Sequence, residues 1–251
     1  MLAGLLGVGG GLIIVPMLIV SFSRQGLPAE HLMHLALGTS LASIVFTSVS
    51  SFRAHQRRGA VDWGVVRRIT PGILAGTFGG TWIASRLSTA FLTWVFTAFL
   101  YFVAAQMFLD RKPRPTREIP GAVGTGAVGA GIGVVSSLVG IGGGSLSVPF
   151  MTWCNVPVHR AIGTSAAIGF PIALAGSAGY LVNGLGAAGL PAHTLGFVHL
   201  HALAGIAAAS MATAPLGARL AHRLPVRRLK RAFAALLLVM GTRLLLGLIR
   251  R

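Results

Sequence analysis

The sequence contains little charge, and almost all of the charge that it has is positive. Asp and Glu together number 4 of 251 residues, and charged residues of all types make up 10%, against about 25% in an ordinary soluble domain. So few charged side chains cannot cover a globule of this size, which excludes an ordinary soluble enzyme. Hydrophobic residues make up 54% of the chain, and this composition predicts a membrane protein that crosses the bilayer several times.

The scarcity of acids and cysteine also limits the chemistry. The single cysteine, Cys154, excludes an internal disulfide and offers no metal cluster. A carrier of cations would normally place carboxylates at the bilayer midplane, but all four acids lie outside the deep parts of the apolar runs: Glu30, Asp62, Asp110 and Glu118. No nucleophile–base–acid constellation and no G-K-[ST] phosphate loop is present. We therefore expect no catalysis, no cofactor and no bound metal.

Eight apolar runs account for most of the chain. A bilayer core of ~30 Å needs about 20 helical residues, and the runs cover residues 1–20, 34–52, 69–85, 90–109, 121–150, 161–182, 195–218 and 232–249. No ten-residue stretch alternates with period two, as an outer-membrane barrel requires. The pattern predicts an all-α integral membrane protein without strands and without a separate soluble domain.

Twenty of the 21 basic residues lie outside the deep parts of these runs, mostly in the short loops between them, and Arg243 is the exception. In a soluble protein the net charge of +17 would indicate nucleic-acid binding, but here it fits the rule that basic loops stay in the cytoplasm. Eight simple crossings divide the basic residues almost evenly between the two faces. If residues 121–158 instead enter the membrane and return to the same side, sixteen fall on one face and four on the other. This asymmetry predicts a helix over 121–139, a break at 140–144 and a short returning helix over about 145–156.

Two motifs occur twice in the same order. GVGGG at 7–11, followed by Pro16, recurs as GIGGG at 140–144, followed by Pro149, at an offset of 133 residues. ALGTS at 36–40 recurs as AIGTS at 161–165, at an offset of 125 residues. A weaker third match pairs Gly80 to Leu87 with Gly217 to Leu224. The chain therefore contains two structural repeats.

These repeats predict the overall plan. We place them at residues 1–110 and 121–251, and an odd number of crossings in each gives them inverted topology with glycine-broken helices, as in many secondary transporters. Because fewer residues precede the glycines in the first repeat than in the second, we expect its leading helix to be truncated here. We expect the protein in a bacterial inner membrane, as a multi-pass protein without a nucleic-acid partner.

The glycine motifs are the predicted substrate site. Each helical glycine costs ~1 kcal/mol relative to alanine, and an unwound backbone inside the membrane is tolerated only where protein or a cavity lines it. Amides at the start of the following half-helix carry positive dipole and suit an anion. Hydroxyls of the two G-T-S motifs add donors. The predicted binding residues are Gly9, Gly10, Gly11, Thr39, Ser40, Gly142, Gly143, Gly144, Thr164 and Ser165. The alternative is that the glycines only allow close helix crossing, in a membrane assembly or scaffold factor that transports nothing.

The duplicated motifs resemble the sulfite exporter TauE/SafE family. The similarity extends over nearly the whole chain and is strongest in GLLGVGGGLIIVPML (4–18), ALGTSLA (36–42), SLVGIGGGSLSVPF (137–150) and AIGTSAA (161–167). This resemblance implies export of a small anion, chiefly sulfite or an organosulfur compound such as a sulfonate or sulfoacetate. The implied partners are that anion and the lipid bilayer.

Three further features have simpler interpretations. Gly72, Gly76 and Gly80 form a stripe typical of close helix packing. The pair His199 and His201 is expected within a span and facing different sides, so it does not form a metal-binding pair on one face. Arg243 lies inside the last apolar run, where it either attracts anions, extends towards the interface or pairs with a polar neighbour.

Overall fold

The chain folds into a helical bundle with one very short β-hairpin. A computed structural model describes residues 10–109, 117–210 and 226–249. The helices are α1 (Gly11–Arg24), α2 (Leu32–Gln56), α3 (Trp63–Arg86), α4 (Thr89–Leu109), α5 (Ala122–Val139), α6 (Gly144–Trp153), α7 (Val158–Gly184), α8 (Leu200–Ser210) and α9 (Val226–Ile249). The strands are β1 (Thr194–Leu195) and β2 (Val198–His199).

Five of the described helices are long and apolar enough to cross a bilayer: α2, α4, α5, α7 and the part of α9 at Lys230–Leu248. Their outward surfaces and that of α3 carry large apolar side chains, such as Phe78, Trp82, Trp94 and Phe102, which remain exposed in the bundle. A soluble protein would bury such a belt, whereas lipid solvates it. The expectation of an all-α membrane protein is confirmed.

The hairpin is a difference from the expected all-helical span at 195–218. Thr194 pairs with His199 and Leu195 with Val198, around a turn in which Gly196 has a φ of +54°. Its apolar residues Phe197 and Val198 are buried by protein, and the Phe197 amide donates to the Tyr180 carbonyl (3.2 Å). His199 therefore precedes helix α8, and the prediction that it lies within a span is wrong.

The predicted break between α5 and α6 is confirmed. Gly140 and Gly143 adopt left-handed backbone angles, with φ of +66° and +75°, which residues with a Cβ rarely adopt. They end α5 at Val139 and begin α6 at Gly144. The Arg117 guanidinium, which precedes α5, lies 4.8 Å from the Trp153 ring at the end of α6. Both ends of the α5–α6 segment therefore lie at the same end of the bundle.

Loop contacts define the two ends of the bundle. At the hairpin end, which contains residues 25–31, 87–88 and 185–199, His31 Nε2 bonds to the Ala188 carbonyl (3.0 Å) and the Thr89 hydroxyl donates to the Glu30 carbonyl. The basic end contains residues 57–62, 117–121 and 154–157. Its loops are tied to the bundle through Thr164, which accepts a hydrogen bond from the Asp62 amide (2.9 Å).

The glycine stripe of α3 packs closely against α5. A Cβ added to Gly72 would collide with the Gly126 carbonyl, and one added to Gly76 would collide with the Ala130 carbonyl. A Cβ added to Gly80 would likewise collide with the Ser137 hydroxyl. The helix-packing interpretation of this stripe is confirmed.

Candidate functional site

The two glycine motifs meet inside the bundle, although they lie 133 residues apart in sequence. A Cβ added to Gly11 would collide with the Gly140 carbonyl and lie 3.0 Å from Ile141 Cα. Gly10 is the N-cap of α1 and Gly143 is the N-cap of α6. Neither helix has an acidic residue in its first turn. The start of α1 therefore contacts the break that precedes α6, and neither first turn holds a carboxylate.

Neighbouring helices satisfy the unwound backbone of the second break. The Ser40 hydroxyl donates to the Gly140 carbonyl (2.9 Å), and the Tyr180 hydroxyl donates to the Ser137 carbonyl (3.0 Å). A free carbonyl at this depth would cost several kcal/mol. Ser40 therefore has a structural role at the break, in addition to its predicted one.

The two threonines of the G-T-S motifs hold equivalent loops. The Thr39 hydroxyl accepts a hydrogen bond from the His199 amide (3.0 Å), just as Thr164 accepts one from the Asp62 amide (2.9 Å). His199 and Asp62 each immediately precede a helix. In each half this hydroxyl thus fixes the start of a helix of the other half, α8 for Thr39 and α3 for Thr164.

The glycines before these threonines repeat the pattern. A Cβ on Gly38 would collide with the Phe197 carbonyl, and one on Gly163 would collide with the Ala60 carbonyl. Phe197 and Ala60 are 137 positions apart, as are Gly217 and Gly80 in the weak third sequence match. Gly217 lies outside the described residues, but the loop contacts give the same spacing independently.

The predicted hydroxyl ligands are all buried and engaged with the protein. Thr39 and Thr164 hold loop amides, Ser40 bonds to Gly140, and the Ser165 hydroxyl accepts a hydrogen bond from Ser147 (2.9 Å). The predicted site residue Gly9 lies outside the described residues. The remaining predicted glycines lie at the two helix starts, where a Cβ added to Gly142 would lie 3.3 Å from Ile44. Substrate binding by these residues stays a prediction.

Sequence reasoning missed one hydroxyl beside the break. Ser136 Oγ is fully buried, has no hydrogen-bond partner among the described residues, and lies 3.5 Å from where a Cβ of Gly143 would be. Ile132 and Ile172 contact the same position. The sequence signal is weak, because Ser136 falls within an apolar helix and only the tertiary fold brings it to Gly143.

Histidines collect at the hairpin end. The rings of His193 and His201 lie 4.4 Å apart, and the His199 ring stacks on Phe22 at 5.1 Å. Burial of His199, and then the nearby His201, hold its pKa below the ordinary value of 6.5. His199 is therefore neutral at neutral pH, with its hairpin docked on Thr39.

Comparison with known proteins identifies the family of this chain. The sequence profile described as "Sulfite exporter TauE/SafE" matches residues 1–244. The chain belongs to the sulfite exporter TauE/SafE family. Members of the family are membrane transporters, and the bundle with its candidate spans is a multi-pass membrane protein of that kind.

Curated relatives carry transporter names. The chain is 36% identical over 98% of its length to a "Probable membrane transporter protein" of Haemophilus influenzae, of which it covers 93%. It is 30% identical over 72% of its length to the "Probable membrane transporter protein YunE" of Bacillus subtilis, of which it covers 73%. It is also 26% identical over 98% of its length to "Probable membrane transporter protein MJ0441" of Methanocaldococcus jannaschii, of which it covers 91%. No solved structure matches the chain significantly.

Proposed function

We propose that this transporter exports a small anion, sulfite or an organosulfur anion such as a sulfonate or sulfoacetate, across the bacterial cytoplasmic membrane by alternating access. The substrate class comes from the family description. The physical support comes from the meeting of the two glycine motifs and from the shortage of acids.

The observation that carries the proposal is the contact between the N-terminus of α1 and the break that precedes α6. Each N-terminus is equivalent to about half a positive charge, and the Gly11–Gly140 contact brings α1 together with the α5–α6 break. The first turns of α1 and α6 hold no acid that would neutralise these dipoles. An anion is the ligand that such helix starts favour, and the carboxylates that would favour a cation are absent from both first turns.

The packing around Gly143 supports a closed state of the cycle. Ile172 Cδ1 lies against the position that a Cβ of Gly143 would take, and Ile132 lies 3.4 Å from it. Alternating access then requires that these isoleucines separate from the break when the two repeats move relative to each other. The loop anchors at Thr39 and Thr164 each join one half to the other, so they limit how far the halves separate while these hydrogen bonds last.

Transport in sealed vesicles tests the substrate claim. Purified full-length protein is reconstituted into phosphatidylcholine vesicles loaded with labelled sulfite, and in parallel with a labelled sulfonate. We expect protein-dependent efflux that excess unlabelled substrate slows. If no sulfur oxyanion moves above the rate in protein-free vesicles, the proposed substrate class is wrong.

Ser136 gives the sharpest test of the site. Its hydroxyl bonds to no described residue, so Ser136→Ala removes no protein hydrogen bond and we expect it to fold normally. A hydroxyl that binds the anion contributes about 0.5–1.5 kcal/mol, and efflux at low substrate should fall by about 2- to 10-fold. The control is Ser50→Ala, whose exposed hydroxyl donates to the Thr47 carbonyl in its own helix. Equal transport by both variants would exclude Ser136 from the site.

Gly143→Ala is a poor test of the same site. Gly143 has a φ of +75°, and its added Cβ would collide with Ile172. This variant is strained whether or not an anion binds there, so loss of transport would not distinguish binding from packing. Gly142→Ala is the better backbone variant, because Gly142 lacks a positive φ and its Cβ would meet only Ile44 at 3.3 Å and Gly169 at 3.9 Å.

A further inference from the structure

A groove of about 530 Å³ runs between α1 and α9, away from the glycine breaks. Its wall is largely apolar, and two arginines lie in it. The lining includes Met17, Val20 and Arg24 of α1 and Met240, Arg243 and Leu244 of α9. Met17 is 60% exposed and the adjacent Val239 is 65% exposed, so this side of the bundle faces lipid.

Arg24 and Arg243 have no anionic partner in the part of the chain that the structure describes. Both side chains are exposed, and neither forms an ion pair there. The described acids are engaged or distant: Glu30 lies near His31, Asp62 caps α3, and Glu118 lies at the basic end. Two like charges therefore share an apolar groove with no carboxylate to balance them.

The position of Arg243 makes this imbalance costly. The preceding Thr242 hydroxyl bonds to the Tyr101 hydroxyl (3.0 Å), and Tyr101 lies in the middle part of α4 (Thr89–Leu109). Arg243 is thus anchored at hydrocarbon depth, where an unpaired guanidinium is unfavourable. Arg24 is the last residue of α1 and lies at the hairpin end. Both arginines line the same groove, so one anion held between them interacts with both charges.

We propose that the groove binds one anionic phospholipid, with its phosphate between Arg24 and Arg243 and an acyl chain along Met17, Val20, Met240 and Leu244. Guanidinium groups bind phosphate through paired hydrogen bonds, and Ser21 and Gln25 add polar groups beside Arg24. The apolar, lipid-facing wall suits a bilayer lipid better than a free aqueous anion. A net anionic headgroup is favoured over phosphatidylcholine, because both arginines repel the choline cation. This site is independent of the transported substrate.

Native mass spectrometry of the full chain tests the proposal. The protein is reconstituted into vesicles of equal parts phosphatidylcholine and phosphatidylglycerol, extracted gently, and the retained lipids are counted. We expect one retained phosphatidylglycerol in wild type. A basic residue near anionic lipid contributes about 1 kcal/mol, so Arg24→Gln and Arg243→Gln should each reduce retention about fivefold. Arg86→Gln is the matched control, because Arg86 ends α3 at the same end but packs 4.0 Å over the Trp82 ring.

Two further arms keep the result decisive. Met17→Trp leaves both arginines in place but fills the apolar wall, and it should also lose the lipid. Equal retention by wild type, both arginine variants and Met17→Trp would overturn the proposal. Release of phosphatidylglycerol from wild type by free phosphate or sulfite, with those anions bound in its place, would overturn the lipid assignment in favour of a soluble oxyanion.

Discussion

At the scale of single residues, Thr39 and Thr164 have the same structural role in the two halves. The Thr39 hydroxyl accepts a hydrogen bond from the buried His199 amide, and the Thr164 hydroxyl accepts one from the partly buried Asp62 amide. Thr39→Val removes the acceptor and leaves the His199 amide unsatisfied, which should lower the free energy of unfolding by about 1–3 kcal/mol. Thr70→Val is the control, because its hydroxyl donates only to Val66 in the same helix. Thermal unfolding in detergent measures both; equal melting temperatures would contradict the anchoring role.

The lowered pKa of His199 predicts how the stability of the docked hairpin depends on pH. Because burial holds its pKa below 6.5, the folded state binds the proton less readily than the unfolded state. The stability that depends on neutral His199 is complete above pH 6.5 and is lost as the pH falls towards its folded pKa. His199→Phe keeps the ring on Phe22 but cannot be protonated. We expect this variant to lose less thermal stability than wild type on acidification through this window.

The exposed His159 provides the comparison for this measurement. It lies at the other end of the bundle from the hairpin, so His159→Phe should retain the wild-type loss of stability at acid pH. If His199→Phe and wild type lose stability equally between neutral pH and mildly acidic pH, His199 does not control the docking of the hairpin.

At the scale of secondary-structure elements, the glycines of α3 matter only on the face that packs against α5. Gly76→Ala places a Cβ on the Ala130 carbonyl, whereas Gly79→Ala, about one turn away on the same helix, meets nothing within 4 Å. Overpacking should cost Gly76→Ala about 1–3 kcal/mol, while Gly79→Ala should gain up to ~1 kcal/mol from helix propensity. Thermal unfolding of the two variants checks the difference in sign. A Gly76→Ala protein as stable as Gly79→Ala would show that the helices adjust freely.

The sequence predicts the elements better than the contacts between them. Adjacent glycines followed by a proline mark the α5–α6 break, because glycine permits the left-handed backbone seen at Gly140 and Gly143. The hairpin at 194–199 does not follow from the pattern, because burial against protein and burial in lipid both select apolar residues. The approach of Ser136 to Gly143 and the bond between Thr39 and His199 join distant parts of the chain. A local pattern carries no information about such pairs.

At the scale of the whole molecule, contacts place the basic loops together. Arg117 reaches Trp153 across the re-entrant segment, and the Asp62 amide reaches Thr164. The described loops at 57–62, 117–121 and 154–157 therefore share the basic end. Arg24 and Arg86 end helices at the opposite end of the bundle. For the described residues this division agrees with the charge distribution of a returning segment, while much of the predicted basic loops 110–120 and 219–231 lies outside the described residues. It supports the inverted arrangement of the repeats, which stays a prediction.

Cysteine accessibility in whole cells tests that arrangement. In a Cys154→Ser background, single cysteines replace exposed residues at the basic end, Arg58, Glu118 and Asn155, or at the hairpin end, Gln25, Ser88 and Gly186. If basic loops face the cytoplasm, a membrane-impermeant maleimide should label the hairpin-end cysteines in intact cells and the basic-end cysteines only after lysis. Arg58 precedes α3 and Asn155 follows α6 along the chain. Helices α3 and α4 cross the membrane and return, so both thiols are protected only if α5 and α6 together also return to the same face. Labelling of only one of these two variants in intact cells would show that the α5–α6 segment crosses the membrane, and the inverted-repeat topology would then be wrong.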